Sequence, residues 1–204
     1  MIINAALEAT CFDPRRIPDY DTPEVIMAGR SNVGKSSLIN ALLGRKLAHV
    51  GGTPGKTRSV NFYRVDDKDE DGTVSSYRVV DLPGYGYASR SKSERNEWLR
   101  LVSAYMRNRA ESGSDKKPLA CHLVDFRHGL LANDRELQEW LNGYNFPMLV
   151  IFTKADKIPR GKWRGMIEQY VRDGLYSIDM PIVTSAEKRN GIDELRNSIL
   201  KNVL

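Results

Sequence analysis

One stretch of the chain decides the fold: Gly29-Arg30-Ser31-Asn32-Val33-Gly34-Lys35-Ser36. It matches the pattern G-x-x-x-x-G-K-[S/T], in which glycines let the backbone curl so that successive N–H groups point inward at phosphate oxygens. A short apolar run precedes it at residues 24–28, and apolar residues at helical spacing follow it within residues 35–43. A strand, a glycine turn and a helix in this order predict a phosphate-binding loop, to which the positive end of the helix dipole contributes.

The residues of this loop, together with Ser37, are the candidate phosphate contacts. The ammonium group of Lys35 can reach the β- and γ-phosphates of a nucleotide, and the Ser36 hydroxyl can ligate Mg²⁺. Mg²⁺ suits such a site because it takes few protein ligands and completes its shell with phosphates and water. A glycine turn before a surface helix is the alternative interpretation of the same stretch.

Composition places the chain among globular domains. It has 204 residues, of which 41% are hydrophobic and 28% charged, and this length supports one sizeable core. These values exclude a disordered chain, a collagen-like repeat and a disulfide scaffold. The cysteines, Cys11 and Cys121, fit a reducing compartment, and the apolar runs are too short to cross a bilayer, so we expect a cytoplasmic location. The formal charge of +5 is a weak indication of an anionic partner.

Strand-like and helix-like segments alternate along the rest of the chain. Strands at residues 60–65 and 76–80 flank the turn signal Asp71-Gly72, which predicts an antiparallel hairpin. The later elements are predicted, in chain order, at 94–110 (helix), 119–125 (strand), 133–141 (helix), 148–152 (strand), 163–171 (helix), 181–184 (strand) and 192–199 (helix).

This alternation predicts an α/β fold with a mostly parallel sheet and helices on both faces. Ligands of such sheets bind at the carboxyl ends of the strands. We expect residues 1–23, which contain three prolines, to form an irregular lead-in, and residues 24–204 to form a single domain.

A second motif, Asp81-Leu82-Pro83-Gly84, directly follows a predicted strand. In a nucleotide site the Asp81 carboxylate can hold a water molecule on Mg²⁺. The Gly84 N–H can sense the γ-phosphate. The pattern D-x-x-G is weak when it stands alone.

Two later motifs can read a base. Thr153-Lys154-Ala155-Asp156 follows the next-to-last predicted strand, and Ser185-Ala186-Glu187-Lys188 follows the last. The Asp156 carboxylate can accept hydrogen bonds from the ring N–H and the amino group of guanine, whereas a buried site of this kind rejects adenine by about 10⁴-fold. The stem of Lys154 can cover the face of the base, and the Ala186 N–H can bond the guanine oxygen. An exposed Lys-Asp turn is the alternative for the first of these motifs.

The Gly- and Pro-rich loop Thr53-Pro54-Gly55-Lys56-Thr57 lies between the first predicted helix and the second predicted strand. A threonine hydroxyl from this loop can complete the Mg²⁺ shell when a γ-phosphate is present. Thr53 and Thr57 are both candidates on this argument.

The order of these motifs resembles that of the Ras-like translation-factor class of GTPases. Within that class, the chain resembles the EngB (YihA/YsxC) family of bacterial ribosome-biogenesis GTPases. The matching stretches lie at residues 29–37, 53–57, 61–62, 81–87, 125–128 and 153–163. Among them, Asp81-Leu82-Pro83-Gly84-Tyr85-Gly86-Tyr87 is far more specific than D-x-x-G alone. The acidic turn at residues 66–72 is longer than usual in this family, which leaves the site assignments intact.

The resemblance implies a three-layer P-loop GTPase (G) domain, with a mostly parallel six-stranded sheet that has one antiparallel strand. It implies GTP/GDP and Mg²⁺ as ligands, and the large ribosomal subunit, with its rRNA and ribosomal proteins, as partner. It also implies a link to cell division and septation, and we expect a monomer. The family pattern favours Thr57 over Thr53, with Gly55 as a nucleotide contact. It makes Asn32 a candidate K⁺ ligand, with a turn residue as the alternative.

The residue after D-x-x-G bears on the rate of hydrolysis. Many GTPases place a glutamine there to orient the attacking water, whereas this chain has Tyr85. We therefore expect slow intrinsic hydrolysis that a partner or an ion completes, with Lys35, Asn32, Thr57 and Gly84 as the catalytic groups. Two other functions stay open: a P-loop nucleotide or small-molecule kinase, and a GTP-dependent binding module without turnover.

Basic residues recur in three clusters that can contact RNA phosphates, with solvated helix faces as the alternative. The clusters are Arg90, Lys92 and Arg95; Arg107 and Arg109; and Lys157, Arg160, Lys162 and Arg164.

Overall fold

The computed structural model describes residues 1–50, 59–85, 92–112 and 117–204. Its strands and helices, in chain order, are β1 Ile2–Cys11, β2 Glu24–Gly29, α1 Lys35–Leu43, β3 Val60–Lys68, β4 Val74–Asp81, α2 Lys92–Glu111, β5 Leu119–Asp125, α3 Ala132–Asn142, β6 Met148–Thr153, α4 Trp163–Arg172, β7 Ile182–Val183 and α5 Ile192–Val203. Within the described residues, no helix is both long and apolar enough to cross a membrane.

The strands form one sheet in the order β1-β3-β4-β2-β5-β6-β7. β3 is antiparallel to both of its neighbours, β1 and β4, and the other pairs are parallel. The predicted α/β architecture, a mostly parallel sheet with one antiparallel strand, is confirmed. The described sheet has seven strands, so the expected number of six is wrong.

The additional strand is β1, at the edge of the sheet. It comes from the segment that was expected to be an irregular lead-in, and that expectation is wrong for Ile2–Cys11. Only Ala5 and Cys11 are buried along the strand, while the apolar residues Ile3 and Leu7 are exposed. Because the alternation of buried and exposed residues is so weak, the sequence gives little indication of a strand there.

The predicted hairpin of β3 and β4 is confirmed. Its register places Val65 opposite Tyr77 and Lys68 opposite Val74. Gly72 in the turn has a φ of +90°, a conformation that glycine adopts without steric cost.

The central strands are buried on both faces, as parallel strands covered by helices must be. Along β2, Val25 and Met27 pack in the layer that contains α1 and α5, whereas Ile26 and Ala28 pack in the layer that contains α2 and α3. A further cluster lies between β5, β6 and α4. Since β2, β4, β5, β6 and β7 run in the same direction, their carboxyl ends meet at one edge of the sheet. The phosphate loop, the D-x-x-G motif and the two base-reading motifs all lie at this edge.

Candidate nucleotide-binding site

The phosphate loop connects β2 to α1, and glycines shape both of its ends. An added Cβ on Gly29 would lie 2.9 Å from the carbonyl oxygen of Leu123, so only glycine fits where the loop leaves the sheet. Asn32 and Gly34 have positive φ values of +63° and +104°. These two left-handed residues turn the chain sharply into α1, whose first residue is Lys35.

A buried ion pair lies at the start of α1. Lys35 Nζ contacts Asp81 Oδ1, and the two side chains are only 8% and 3% exposed. The pair forms because β4, which ends at Asp81, is the hydrogen-bonded neighbour of β2. Ser36 and Ser37 lie half-buried in the first turn of α1. This arrangement places a cation and hard oxygen donors together, which is the chemistry that phosphate and Mg²⁺ require.

The D-x-x-G motif packs directly on the phosphate loop. An added Cβ on Gly84 would lie 2.9 Å from Ser31 Oγ and 3.0 Å from Ser31 Cα. The Ser31 N–H donates to the Tyr85 carbonyl oxygen at 3.0 Å, and the Tyr85 N–H donates to the Gly29 carbonyl oxygen at 3.2 Å. Arg30 and Tyr85 therefore form a parallel β-bridge, which joins the two motifs directly through their backbones.

Helix α3 supports both of these motifs from outside the site. Arg30 Nε lies 2.9 Å from Asp134 Oδ2, and Asp134 is fully buried in the first turn of α3. Two residues further along α3, the Glu136 carboxylate accepts a hydrogen bond of 2.5 Å from the Tyr85 hydroxyl. Neither acidic residue was recognised from the sequence, because no pattern of spacing links α3 to the phosphate loop.

The first base-reading motif is tied to the phosphate loop by two hydrogen bonds. Thr153 Oγ1 donates to the Val33 carbonyl oxygen, and Lys154 Nζ donates to the Asn32 carbonyl oxygen, each at 2.7 Å. Lys154 has a φ of +60°, which a lysine adopts only where its surroundings hold it.

The candidate base acceptor, Asp156, lies next to the loop that follows β7. Ser185 Oγ donates to Asp156 Oδ1 at 2.7 Å, and the Asp156 side chain is 7% exposed. The hydrogen bond from Ser185 lowers the pKa of Asp156, with Lys157 Nζ 2.9 Å away as a further contribution. The group is therefore an ionised acceptor at neutral pH. The Ala155 N–H donates to the Thr184 carbonyl oxygen at 3.0 Å, which joins the segment that carries Asp156 to the end of β7, two residues before Ala186.

Some of the predicted site residues cannot be placed. Thr57 and Gly55, with the rival Thr53, lie outside the described residues, as do residues 86–91 after Tyr85.

Asp125 also lies at the site, although the sequence suggested no role for it. The carboxylate of Asp125 at the end of β5 contacts both Arg127 and Lys154. Its position was a usable signal, because ligands of parallel sheets bind at the carboxyl ends of strands.

One predicted RNA contact is wrong. Arg109 is buried and forms an ion pair with Glu24 at 2.7 Å, so it is not available to a partner. Its neighbour Arg107 is exposed.

The comparisons with known proteins agree with this geometry. The family model described as 50S ribosome-binding GTPase matches residues 24–154. The probable GTP-binding protein EngB of Streptococcus agalactiae serotype Ia is 43% identical over 203 residues, which cover 98% of this chain and 96% of that protein.

Solved structures show the same P-loop GTPase fold. A crystal structure of a probable GTP-binding protein EngB has a TM-score of 0.64 at 24% identity, over 87% of this chain and 97% of that one. A variant of Era from Aquifex aeolicus, bound to GDP and AlF4⁻, has a TM-score of 0.74 at 24% identity, over 91% of this chain and 58% of that one. On the sequence matches, the chain belongs to the EngB family of GTP-binding proteins, among the 50S ribosome-binding GTPases.

Proposed function

We propose that this protein binds GTP and GDP with Mg²⁺, hydrolyses GTP slowly, and acts as a nucleotide-dependent switch in the assembly of the large ribosomal subunit. One observation carries the proposal: the phosphate loop, the Lys35–Asp81 pair and the Asp156 carboxylate meet at the carboxyl edge of one sheet. A cation for phosphate at one end and an ionised acceptor for a base at the other match the two ends of a guanine nucleotide.

The phosphates of the nucleotide are assigned to the loop between β2 and α1. The proposed phosphate contacts are Gly29, Arg30, Ser31, Asn32, Val33, Gly34, Lys35, Ser36 and Ser37, with Gly84 at the γ-phosphate. The base is assigned to Thr153, Lys154, Asp156, Ser185 and Ala186. Asp156 discriminates guanine from adenine because adenine lacks the paired donors that this carboxylate needs.

Mg²⁺ fits the donor set at the start of α1. The Ser36 hydroxyl is the proposed direct protein ligand, and Asp81 is proposed to act through a water molecule, which leaves the other positions to phosphates and water. With nucleotide and metal bound, Lys35 is proposed to contact the phosphates and Asp81 the water molecule on Mg²⁺. Gly55 and Thr57 remain proposed contacts from the loop that follows α1, with Thr57 as the second Mg²⁺ ligand.

Slow hydrolysis is proposed from the residue after D-x-x-G. Tyr85 has no amide group with which to orient a water molecule, and its hydroxyl is already bonded to Glu136. Lys35, Gly84 and Thr57 remain the proposed catalytic groups, and the ribosome or an ion would complete catalysis. Asn32, whose φ of +63° makes it a turn residue in any case, is the residue to test as a K⁺ ligand. Equal GTPase rates in K⁺ and Na⁺ buffers would remove the K⁺ role.

The partner is proposed to be the large ribosomal subunit, contacted through rRNA and ribosomal proteins by a cytoplasmic monomer. The family description supports this partner, as does the exposed basic segment Lys157, Arg160, Lys162 and Arg164. Within it, Lys157 and Arg164 have acidic neighbours, whereas Arg160 and Lys162 form no ion pair within the described residues. The link to cell division and septation rests on the family alone.

Nucleotide specificity is the first experiment. Competition of GTP, GDP, ATP and ADP against a fluorescent GDP analogue, with and without Mg²⁺, should show binding of guanine nucleotides only. Asp156→Ala should remove that preference, while Glu187→Gln at the exposed neighbouring position should keep it. Equal affinity for ADP, or phosphate transfer to an added acceptor, would favour a kinase.

Ribosome binding is the second experiment. Purified large and small subunits are sedimented with the protein carrying a non-hydrolysable GTP analogue, GDP or no nucleotide. Binding to large subunits that depends on the nucleotide, with GTP turnover raised by the subunits, is expected. Binding to neither subunit contradicts the proposed partner, and zero turnover with subunits present favours a binding module.

A further inference from the structure

A single buried carboxylate holds two cations next to the proposed base site. Asp125, the last residue of β5, is 4% exposed at its side chain. Arg127 donates from Nε to Oδ1 at 2.9 Å and from Nη2 to Oδ2 at 2.7 Å. Lys154 Nζ also lies 3.0 Å from Oδ2. The proposed function assigns no role to this carboxylate.

The contact matters because of what else Lys154 does. Its ammonium group also donates to the Asn32 carbonyl oxygen at 2.7 Å, so it lies between the phosphate loop and the end of β5. Two acceptors on different elements fix the end of a side chain that would otherwise rotate freely. The left-handed backbone of Lys154 fixes the beginning of the same side chain.

We propose that Asp125 is a positioning residue for guanine-nucleotide binding, which holds the Lys154 ammonium against the phosphate loop so that the lysine stem presents a fixed apolar surface to the base. This inference rests on the proposed function, in which Lys154 covers the base. It adds a group that does not touch the nucleotide and acts only through Lys154.

The charge state of Asp125 supports this role. Burial raises the pKa of the carboxyl, but hydrogen bonds from Arg127 and Lys154 outweigh burial, so its pKa lies below its usual range. Asp125 is therefore an anion throughout the neutral pH range, and it can hold Lys154 whether or not a nucleotide is present.

The test is a double-mutant cycle between Asp125 and Lys154, read as the dissociation constant and the dissociation rate of fluorescent GDP. Asp125→Asn keeps the shape of the side chain and removes its charge. It should weaken GDP binding about tenfold, the usual effect of losing one hydrogen bond to a charged group, mainly through faster dissociation. Lys154→Met keeps most of the stem and removes the ammonium, and should cause a similar loss.

The combined variant decides the mechanism. If Asp125 acts through Lys154, Asp125→Asn should have no further effect on GDP binding in the Lys154→Met background. A purely structural effect of Asp125 would instead multiply the two losses. The Lys154 side chain is partly exposed, so Lys154→Met should fold normally. Its effect on GDP binding can therefore be measured even if the Asp125 variant folds poorly.

Arg127→Gln is the matched control, because it removes the other cation on Asp125 and leaves Lys154 in place. It should change GDP affinity by less than about twofold, and unfolding midpoints without nucleotide check that each variant folds. The inference is overturned if Lys154→Met or Asp125→Asn binds GDP as tightly as the wild type, or if their losses multiply. If the wild type itself shows no preference for GDP over ADP, the proposed function fails first.

Discussion

Removing Arg109 should destabilise the whole domain, although its sequence context suggested a surface contact for RNA. Its guanidinium donates to both oxygens of Glu24, at 2.7 and 2.9 Å, and to the Pro18 carbonyl oxygen at 2.7 Å. The two side chains of the pair are 7% and 3% exposed. In Arg109→Ala, the Glu24 carboxylate stays buried with the Tyr105 hydroxyl as its remaining side-chain donor.

The size of the effect follows from that uncompensated charge. Breaking a buried ion pair by removing one partner costs about 3–5 kcal/mol. For a domain of about 200 residues, each kcal/mol lowers the melting temperature by about 2–4 °C, so the expected decrease is about 6–20 °C. Differential scanning calorimetry and urea unfolding measure it directly.

The control is Arg107→Ala, on the same helix and exposed, which should change the free energy of unfolding by no more than about 0.5 kcal/mol. A second variant tests the cause. Replacing both partners, as Glu24→Leu with Arg109→Met, should recover most of the lost stability, because buried ion pairs are commonly replaceable by apolar residues of similar volume. Equal melting temperatures for Arg109→Ala and Arg107→Ala would refute the reasoning.

Three further predictions concern other parts of the molecule. Burial lowers the pKa of His122 to about 4, and neither ring nitrogen has a hydrogen-bond partner within the described residues. This value lies below the pKa of about 6.5 that a histidine has in the unfolded chain. The contribution of His122 to the free energy of unfolding should therefore be fully present above pH 6.5 and should fall by about 3 kcal/mol as the pH drops to 4. His122→Leu should remove this part of the pH dependence, as measured by urea unfolding. Gly191→Ala should cost more than Gly44→Ala in the same assay, since both have φ near +70° but only the first would place its Cβ 2.2 Å from a β7 carbonyl oxygen. Tyr85→Phe and Glu136→Ala should shift the ratio of GTP-analogue to GDP affinity by the same factor, and the double variant should add nothing, as competition binding would show.

The sequence was sufficient to predict those parts of the fold that depend on neighbouring residues in the chain. Gly34 and the residues around it form their turn because of backbone conformations that glycine permits, and the hairpin at Gly72 has the same origin. The core strands can be predicted from their apolar runs, since parallel strands are buried on both faces. β1 has neither signal, because it is an edge strand whose pairing with β3 depends on residues far along the chain, from Ile2 with Asp67 to Cys11 with Val60.

The candidate site divides in the same way. Patterns such as G-K-S and T-K-x-D can be read directly because the nucleotide dictates both residue type and spacing. The groups that hold them in place, Asp125, Asp134 and Glu136, obey no such pattern, because each is selected by a tertiary contact. Arg109 is the opposite case. Its sequence pattern predicted a surface residue, but a tertiary ion pair with the buried Glu24 carboxylate keeps it inside.

These supporting contacts indicate how a nucleotide signal would travel. The phosphate loop is held on one side by Asp134 through Arg30, and on the other by Thr153 and Lys154. Tyr85, the residue after D-x-x-G, is attached differently, through its backbone to the phosphate loop and through its hydroxyl to α3. A γ-phosphate bound at the Gly84 N–H, as proposed above, would lie one residue away from Tyr85. If GTP binds as proposed, we expect Tyr85 to pass the effect to α3 through its hydrogen bond to Glu136, so that a change at Glu136 is the first response outside the loops.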